Sequence, residues 1–333
     1  MKITVRKIAS AAGVSPATVS RYINGTEILS KNTIDKIEQV MLEMNYKPKK
    51  VKRNEGNQIG VLLPHLRYGF YYDAFRELME QANNLQYNLV LMSANEAGSY
   101  NYKKIIDKND LKGVIYFEEE IDADIIDYIT GKGIKTVMCG GAALEHKSDM
   151  VHVNDMAAAY EGTKYLIRLG HKDIVFISDN IQKISAGFQR ITGSRRAMEE
   201  SNLQFKEEAI SYGSVTYEAG YEAMSKFIDS GIRFTAVFAY SDELALGAMS
   251  CLYDAGISVP DDVSVLGFDD LQIAARVRPA LTTIHQPIKS FIEKTLEVFS
   301  QEKNEYSAEI LLPFHVVERG SCKRIDSEAI PKQ

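Results

Sequence analysis

The sequence predicts a small all-α head followed by a larger α/β body of two doubly wound lobes, and three observations carry that prediction. Charge is split about Gly56: residues 1–56 hold 11 basic and 5 acidic side chains, net +6, whereas the remainder holds 28 against 40, net −12. The first 46 residues place apolar side chains at helical spacing. From residue 58 onward, short apolar runs alternate with helical patterns, the mark of βαβ units and parallel sheets.

In the head, Val5, Ile8, Ala9 and Ala12 form one amphipathic stripe, and Gly13 stops it. Ser15 can cap a second helix, with Pro16 at its first position and Val19 and Ile23 facing inward, before Asn24-Gly25 ends it. Ser30 offers a third cap, ahead of Ile34, Ile37, Val40, Met41 and Met44. Two helices joined by Gly13-Val14 make a helix-turn-helix, whose second helix can enter the major groove by its N-terminal end. That end presents small residues and hydroxyls, and Arg21 suits a guanine edge. A basic head on an acidic body accordingly points to a polyanion partner for the head alone.

In the body, strands are expected over 59–64, 89–93, 114–117, 136–139, 174–178, 236–239 and 263–268, with one longer strand over 309–317. Helices are expected over 71–85, 156–169, 193–201, 218–229, 242–255 and 288–299. These strands are too many for one small sheet, so two lobes are predicted, with ligand in the crevice at the carboxyl ends of the strands.

Composition sets outer bounds. The chain has 333 residues, 45% apolar and 25% charged, an ordinary globular balance that excludes bulk disorder and collagen-like repeats. Cys139, Cys251 and Cys322 match neither a disulfide framework nor a CxxC metal site, so a reducing compartment is expected. No apolar run approaches the roughly 18 residues of a spanning helix, and no secretory leader is legible. A cytoplasmic location without membrane partners is the expectation. An enzyme would need a phosphate loop, an HExxH or GxSxG motif, or clustered metal ligands. None is present, the six histidines are dispersed, and no catalytic residue, metal or cofactor is assigned.

The segment VRKIASAAGVSPATVSRYING resembles the N-terminal DNA-binding domain of the lactose/galactose repressor (LacI/GalR) family. YLIRLGHKDIVFIS, AYSDELALGAMSCLYDAGISVPDDVSVLGFDD and RPALTTIHQP resemble effector-domain words of the same family, which is itself similar to periplasmic sugar-binding proteins. The resemblance implies a helix-turn-helix head over 1–48, a basic hinge over 49–57, an effector-binding and dimerisation domain over 58–320, and a tail over 321–333. Within it, lobe one would be 58–155 plus 288–314, and lobe two 156–285 plus 315–320.

By the same resemblance, Pro16, Ala17 and Arg21 would face bases, with Ser15, Thr18, Ser20, Asn24 and Ser30 near the DNA backbone. Relatives continue into a hinge of the type VARxL, whose Leu wedges into the minor groove. Here the chain reads Lys49-Lys50-Val51-Lys52-Arg53-Asn54-Glu55. Lys49, Lys50, Val51 and Arg53 are carried over as DNA contacts, but Glu55 stands where the wedge Leu should be. A carboxylate cannot be desolvated between base steps beside a polyanion, so no large kink is expected.

For the effector, the resemblance assigns Phe70 and Tyr71 as an aromatic pair, Arg190 of Arg190-Ile191-Thr192-Gly193 as a donor fork, Asp269 as an acceptor for two hydroxyls, and Ser241 as a weaker contact. Cys139-Gly140-Gly141 stands where relatives present a polar side chain, and Ser194 where they present an aromatic. The implied protein is a homodimeric repressor of carbohydrate-utilisation genes that reads a pseudo-palindromic operator and responds to a small-molecule effector of the sugar class. The tail has no leucine heptads for tetramers, and the sequence specifies no protein corepressor. The alternative is a cytoplasmic sugar-binding receptor without operator specificity.

Overall fold

The computed structural model describes residues 4–24, 30–44, 46, 57–63, 68–93, 102–117, 123–140, 148–179, 186–300 and 307–325. In the head, α1 (Val5–Ala12), α2 (Pro16–Asn24) and α3 (Lys31–Glu43) close on Ile8, Ala9, Ala12, Val19, Ile37 and Met41. Gly13 ends α1 at φ 67°, a left-handed conformation that glycine adopts without a β-carbon penalty. Ser30 Oγ accepts from the N–H of Thr33 and caps α3. Tyr22 on α2 donates to Glu38 Oε1 on α3 at 2.6 Å, pinning the two helices together.

The body begins with β1 (Gln58–Leu63), α4 (Gly69–Asn84), β2 (Asn88–Ser93), α5 (Tyr102–Lys108), β3 (Leu111–Tyr116), α6 (Ala123–Gly131), β4 (Lys135–Cys139) and β5 (Asp149–Val153). It continues through α7 (Asp155–Arg168), β6 (Ile174–Asp179), α8 (Ala186–Glu200), β7 (Ile210–Gly213), α9 (Tyr217–Asp229), β8 (Ala236–Ala239), α10 (Asp242–Asp254), β9 (Ser264–Asp269) and β10 (Thr282–His285). The last elements are α11 (Ile288–Ser300), β11 (Glu309–Leu312) and β12 (His315–Val317).

Two six-stranded sheets result, ordered β11-β5-β4-β3-β1-β2 in lobe one and β12-β10-β9-β8-β6-β7 in lobe two. All pairings are parallel except β10 with β12. Each sheet is covered on both faces, which is why its strands read as apolar runs. In lobe one, Ile59, Val61 and Leu63 pack toward α4 and α11, while Leu62, Val114 and Tyr116 pack toward α5 and α6. In lobe two, Val237 and Val265 face α9 and α10, and Phe176, Phe238 and Phe268 face α7 and α8. The chain crosses between lobes three times, at β5 to α7, β10 to α11 and β11 to β12.

The structure departs from the sequence reading at several points, the unexpected helices α5 and α6 among them. The single long strand over 309–317 is two strands in different sheets, because Pro313 has no N–H for a ladder and the chain changes lobe there. Strands β5, β7 and β10 were not expected; they are four or five residues of mixed polarity, too short for an apolar run to stand out. Helix α8 begins at Ala186, placing Arg190 inside its second turn. The lobe does not end at 320: Ser321 is fully buried, its hydroxyl accepting from the N–H of Thr282, and the N–H of Ile325 donates to the Leu169 carbonyl.

Candidate DNA-binding helix and interlobe cleft

The N-terminal end of α2 is built by Ser15, whose Oγ accepts from the N–H of Thr18 at 3.0 Å and lies 2.8 Å from Thr18 Oγ1. Ser15, Pro16 and Ala17 are exposed, Thr18 and Ser20 half-buried, and Val19 anchors the helix in the core. This end therefore presents a flat, hydroxyl-rimmed surface of small residues. Arg21 and Asn24 belong to the same helix, and Ser30 caps the next one. The side chains of Arg21 and Asn24, and all of Lys49, Lys50, Val51, Arg53 and Glu55, lie outside the described residues.

Between the lobes lies a cleft, a position at which small-molecule sites recur in open α/β folds. Its walls come from the carboxyl ends of strands: Phe117 after β3, Gly140 after β4, Asp179 at the end of β6, Ser241 after β8, Asp269 at the end of β9 and Gln286 after β10. Phe70 and Tyr71, from the first turn of α4, complete it. The two aromatics differ in exposure. Tyr71 is 6% exposed and belongs mainly to the lobe-one core, edge-to-face with Phe70, whereas Phe70 is half-buried and sits over Gly140. A β-carbon at Gly140 would meet that ring at 3.7 Å, an ordinary contact, so it is the left-handed backbone at φ 89° that favours glycine after β4.

Arg190 is tied into the protein. Its Nε and Nη2 donate to Asp155 Oδ1 at 2.8 and 2.7 Å, its Nη1 donates to the Tyr240 carbonyl at 2.5 Å, and its guanidinium lies 3.7 Å from the Phe268 ring centroid. Ser194, fully buried, accepts from Thr163 and from the Tyr240 hydroxyl, and Tyr240 rather than Ser194 lines the cleft.

Asp269 holds a left-handed backbone at φ 114°, and its Oδ1 accepts from Gln286 Nε2 at 2.7 Å. Burial pushes its carboxyl up to about 7, with Arg190 opposing the rise. Asp242 sits behind it, accepting from Thr283 and from the N–H of Leu271; burial and the Asp269 charge raise it well above the carboxylate range. The Ser241 hydroxyl accepts from the N–H of Leu244 and caps α10.

The cleft thus gathers Phe70, Tyr71, Arg190, Ser241 and Asp269. Sequence reasoning missed Asp179, Tyr240, Glu243 and Gln286. Asp179 was accessible in principle, because it directly follows an expected strand; Gln286 was hidden by the unrecognised strand β10.

Residues 4–49 match the model of bacterial regulatory proteins, lacI family, and residues 163–322 match a periplasmic binding protein-like domain. The chain is 32% identical over 290 residues to the HTH-type transcriptional repressor PurR of Histophilus somni, covering 85% of this chain and 87% of that protein. It is 30% identical over 293 residues to the HTH-type transcriptional regulator RegA of Clostridium saccharobutylicum, covering 86% and 88%. A solved complex of the transcriptional regulator CelR with cellobiose superposes with a TM-score of 0.72 at 25% identity, covering 96% of this chain and all of that one. With the capped α2 on the head and two sheets around a cleft in the body, the chain belongs to the lacI family of bacterial transcriptional regulators, joining a DNA-binding helix-turn-helix domain to an effector-binding domain.

Proposed function

We propose that the protein is a homodimeric repressor of carbohydrate-utilisation genes, reading a pseudo-palindromic operator in the cytoplasm and releasing or gripping it as a sugar-class effector binds between the lobes. The observation that carries the reading is the convergence of Phe70, Arg190 and Asp269 on one interlobe cleft. An aromatic face suits the C–H side of a sugar ring, and a carboxylate suits a pair of hydroxyls.

On the head, Pro16, Ala17 and Arg21 face bases, while Ser15, Thr18, Ser20, Asn24 and Ser30 contact the DNA backbone. Lys49, Lys50, Val51 and Arg53 follow along the phosphates. Two heads about one helical turn apart match a palindrome. The effector acts only through a difference in its affinity for the two lobe arrangements, and by linkage the operator alters effector affinity by the same factor.

The test is fluorescence anisotropy of the full chain on a duplex selected from genomic fragments, titrated against salt and against sugars. Specific binding with a steep salt slope that one sugar shifts supports the reading. Operator affinity indifferent to every tight-binding ligand refutes the switch, and specific binding by a stable monomer refutes the palindrome.

A further inference from the structure

The charge lining the cleft says more than its shape. Asp155, Asp179 and Asp269 all act on the Arg190 guanidinium, so three carboxylates share one cation. Arg190 already spends donors on Asp155 and Tyr240 and one face on Phe268. Glu243 adds a further carboxylate to the rim, and among the described lining residues Arg190 is the one cation.

A ligand phosphate or carboxylate entering here would meet Asp179, Glu243 and Asp269 with no uncommitted positive group among the described residues, and burying an uncompensated charge is expensive. Burial raises Asp269 and Glu243, and neither has a cation of its own in hydrogen-bond contact among the described residues. The aromatic face of Phe70 and the carboxylate of Asp269 suit a polyhydroxylated frame.

The geometry points to an effector that carries a protonated amine on that frame, an amino sugar or aminopolyol, with Asp179 and Glu243 as the residues that select for the charge. This rests on the cleft being the effector site. Among the described lining residues the ammonium is the counter-ion that is lacking, and a phosphorylated sugar meets no uncommitted cation there.

The test uses the full chain in thermal-shift and calorimetric titrations with glucosamine, galactosamine and mannosamine. Their parent hexoses, N-acetyl derivatives and 6-phosphates run in parallel at pH 7. At least one amine is expected to bind ten-fold or more tightly than its parent and N-acetyl forms. Asp179→Asn and Glu243→Gln should each reduce that ratio toward one, the former without lowering the unliganded melting temperature; Asp179→Glu should retain it. Equal affinity for parent and amine, a response confined to phosphates, or no response to any amine overturns the proposal. The first two of those outcomes leave the cleft as an effector site, whereas an amine that binds tightly yet leaves operator affinity unchanged supports this inference and defeats the proposed switch.

Discussion

The backbone N–H of Gly69, the first residue of α4 in lobe one, donates to the Glu243 carboxylate on α10 in lobe two. A single side chain thereby ties the two lobes together beside the cleft. A β-carbon at position 69 would lie 2.5 Å from Leu271 Cδ1 and 3.2 Å from Glu243 Oε1, the ends of two flexible side chains that can turn aside. Gly69→Ala should therefore displace the Glu243 carboxylate rather than part the lobes, and weaken effector binding by ~1 kcal/mol, about five-fold. Calorimetric titration checks this, and an unchanged affinity would show that the contact does not bear on binding.

Arg190 and Asp155 form a buried pair whose members are costly apart. Asp155→Ala strands a guanidinium in the protein interior, and urea unfolding should register a loss of about 3–5 kcal/mol. Arg190→Lys keeps a charge but loses the two-pronged contact with Asp155 and the planar stack on Phe268. That variant should fold yet lose most of its effector response in the anisotropy assay.

Asp269 gives effector binding a pH dependence. Its carboxyl sits at about 7, above its unfolded value, and hydroxyl donors prefer the ionised form. Binding therefore releases a proton below pH 7. Affinity should rise by up to ten-fold per pH unit as pH increases toward 7 and level off above it. Calorimetry at pH 6 and 8 in two buffers checks this, and Asp269→Asn should flatten the profile.

His171 gives folding stability a different pH dependence. Its Nε2 donates to the Lys323 carbonyl and its Nδ1 lies 2.9 Å from the Thr235 hydroxyl, in a site whose burial favours the neutral ring. Burial lowers its pKa to about 4, below the unfolded value. The unfolded chain therefore binds more protons between about pH 6.5 and 4, and stability is full above that window and lost as pH falls through it. The loss amounts to ~3 kcal/mol at most. His171→Gln should remove that slope in urea titrations at stepped pH.

For the head, Arg21→Ala should weaken specific operator binding by about 1–3 kcal/mol and relax discrimination at one base position. Lys49→Ala and Lys50→Ala should instead weaken binding to all sequences and each reduce the salt slope by about one. With Glu55 at the place of a wedge leucine, circularly permuted probes should show no large central kink. A Glu55→Leu chain that bends the duplex strongly, set against a parent that does not, would localise the difference to that residue.

Much was legible in the sequence because local physics fixes it. Helical spacing in the first 46 residues marked the head core, and Ser15 and Ser30 marked the helix starts, since an apolar stripe and a cap are determined within one or two turns. The longer apolar strands were visible for the same reason, buried on both faces between helical patterns. Arg190 and Asp269 were named from their sequence words, 79 positions apart. Tertiary structure alone decided what they do there. It tied Arg190 to Asp155, moved Tyr71 mostly into the core, and added Asp179, Glu243 and Gln286 to the wall. It also split the last long strand between two sheets and drew Ser321 into lobe two. Those outcomes depend on desolvation and on contacts between distant segments, including the Glu243 carboxylate meeting the Gly69 N–H, which no local pattern encodes.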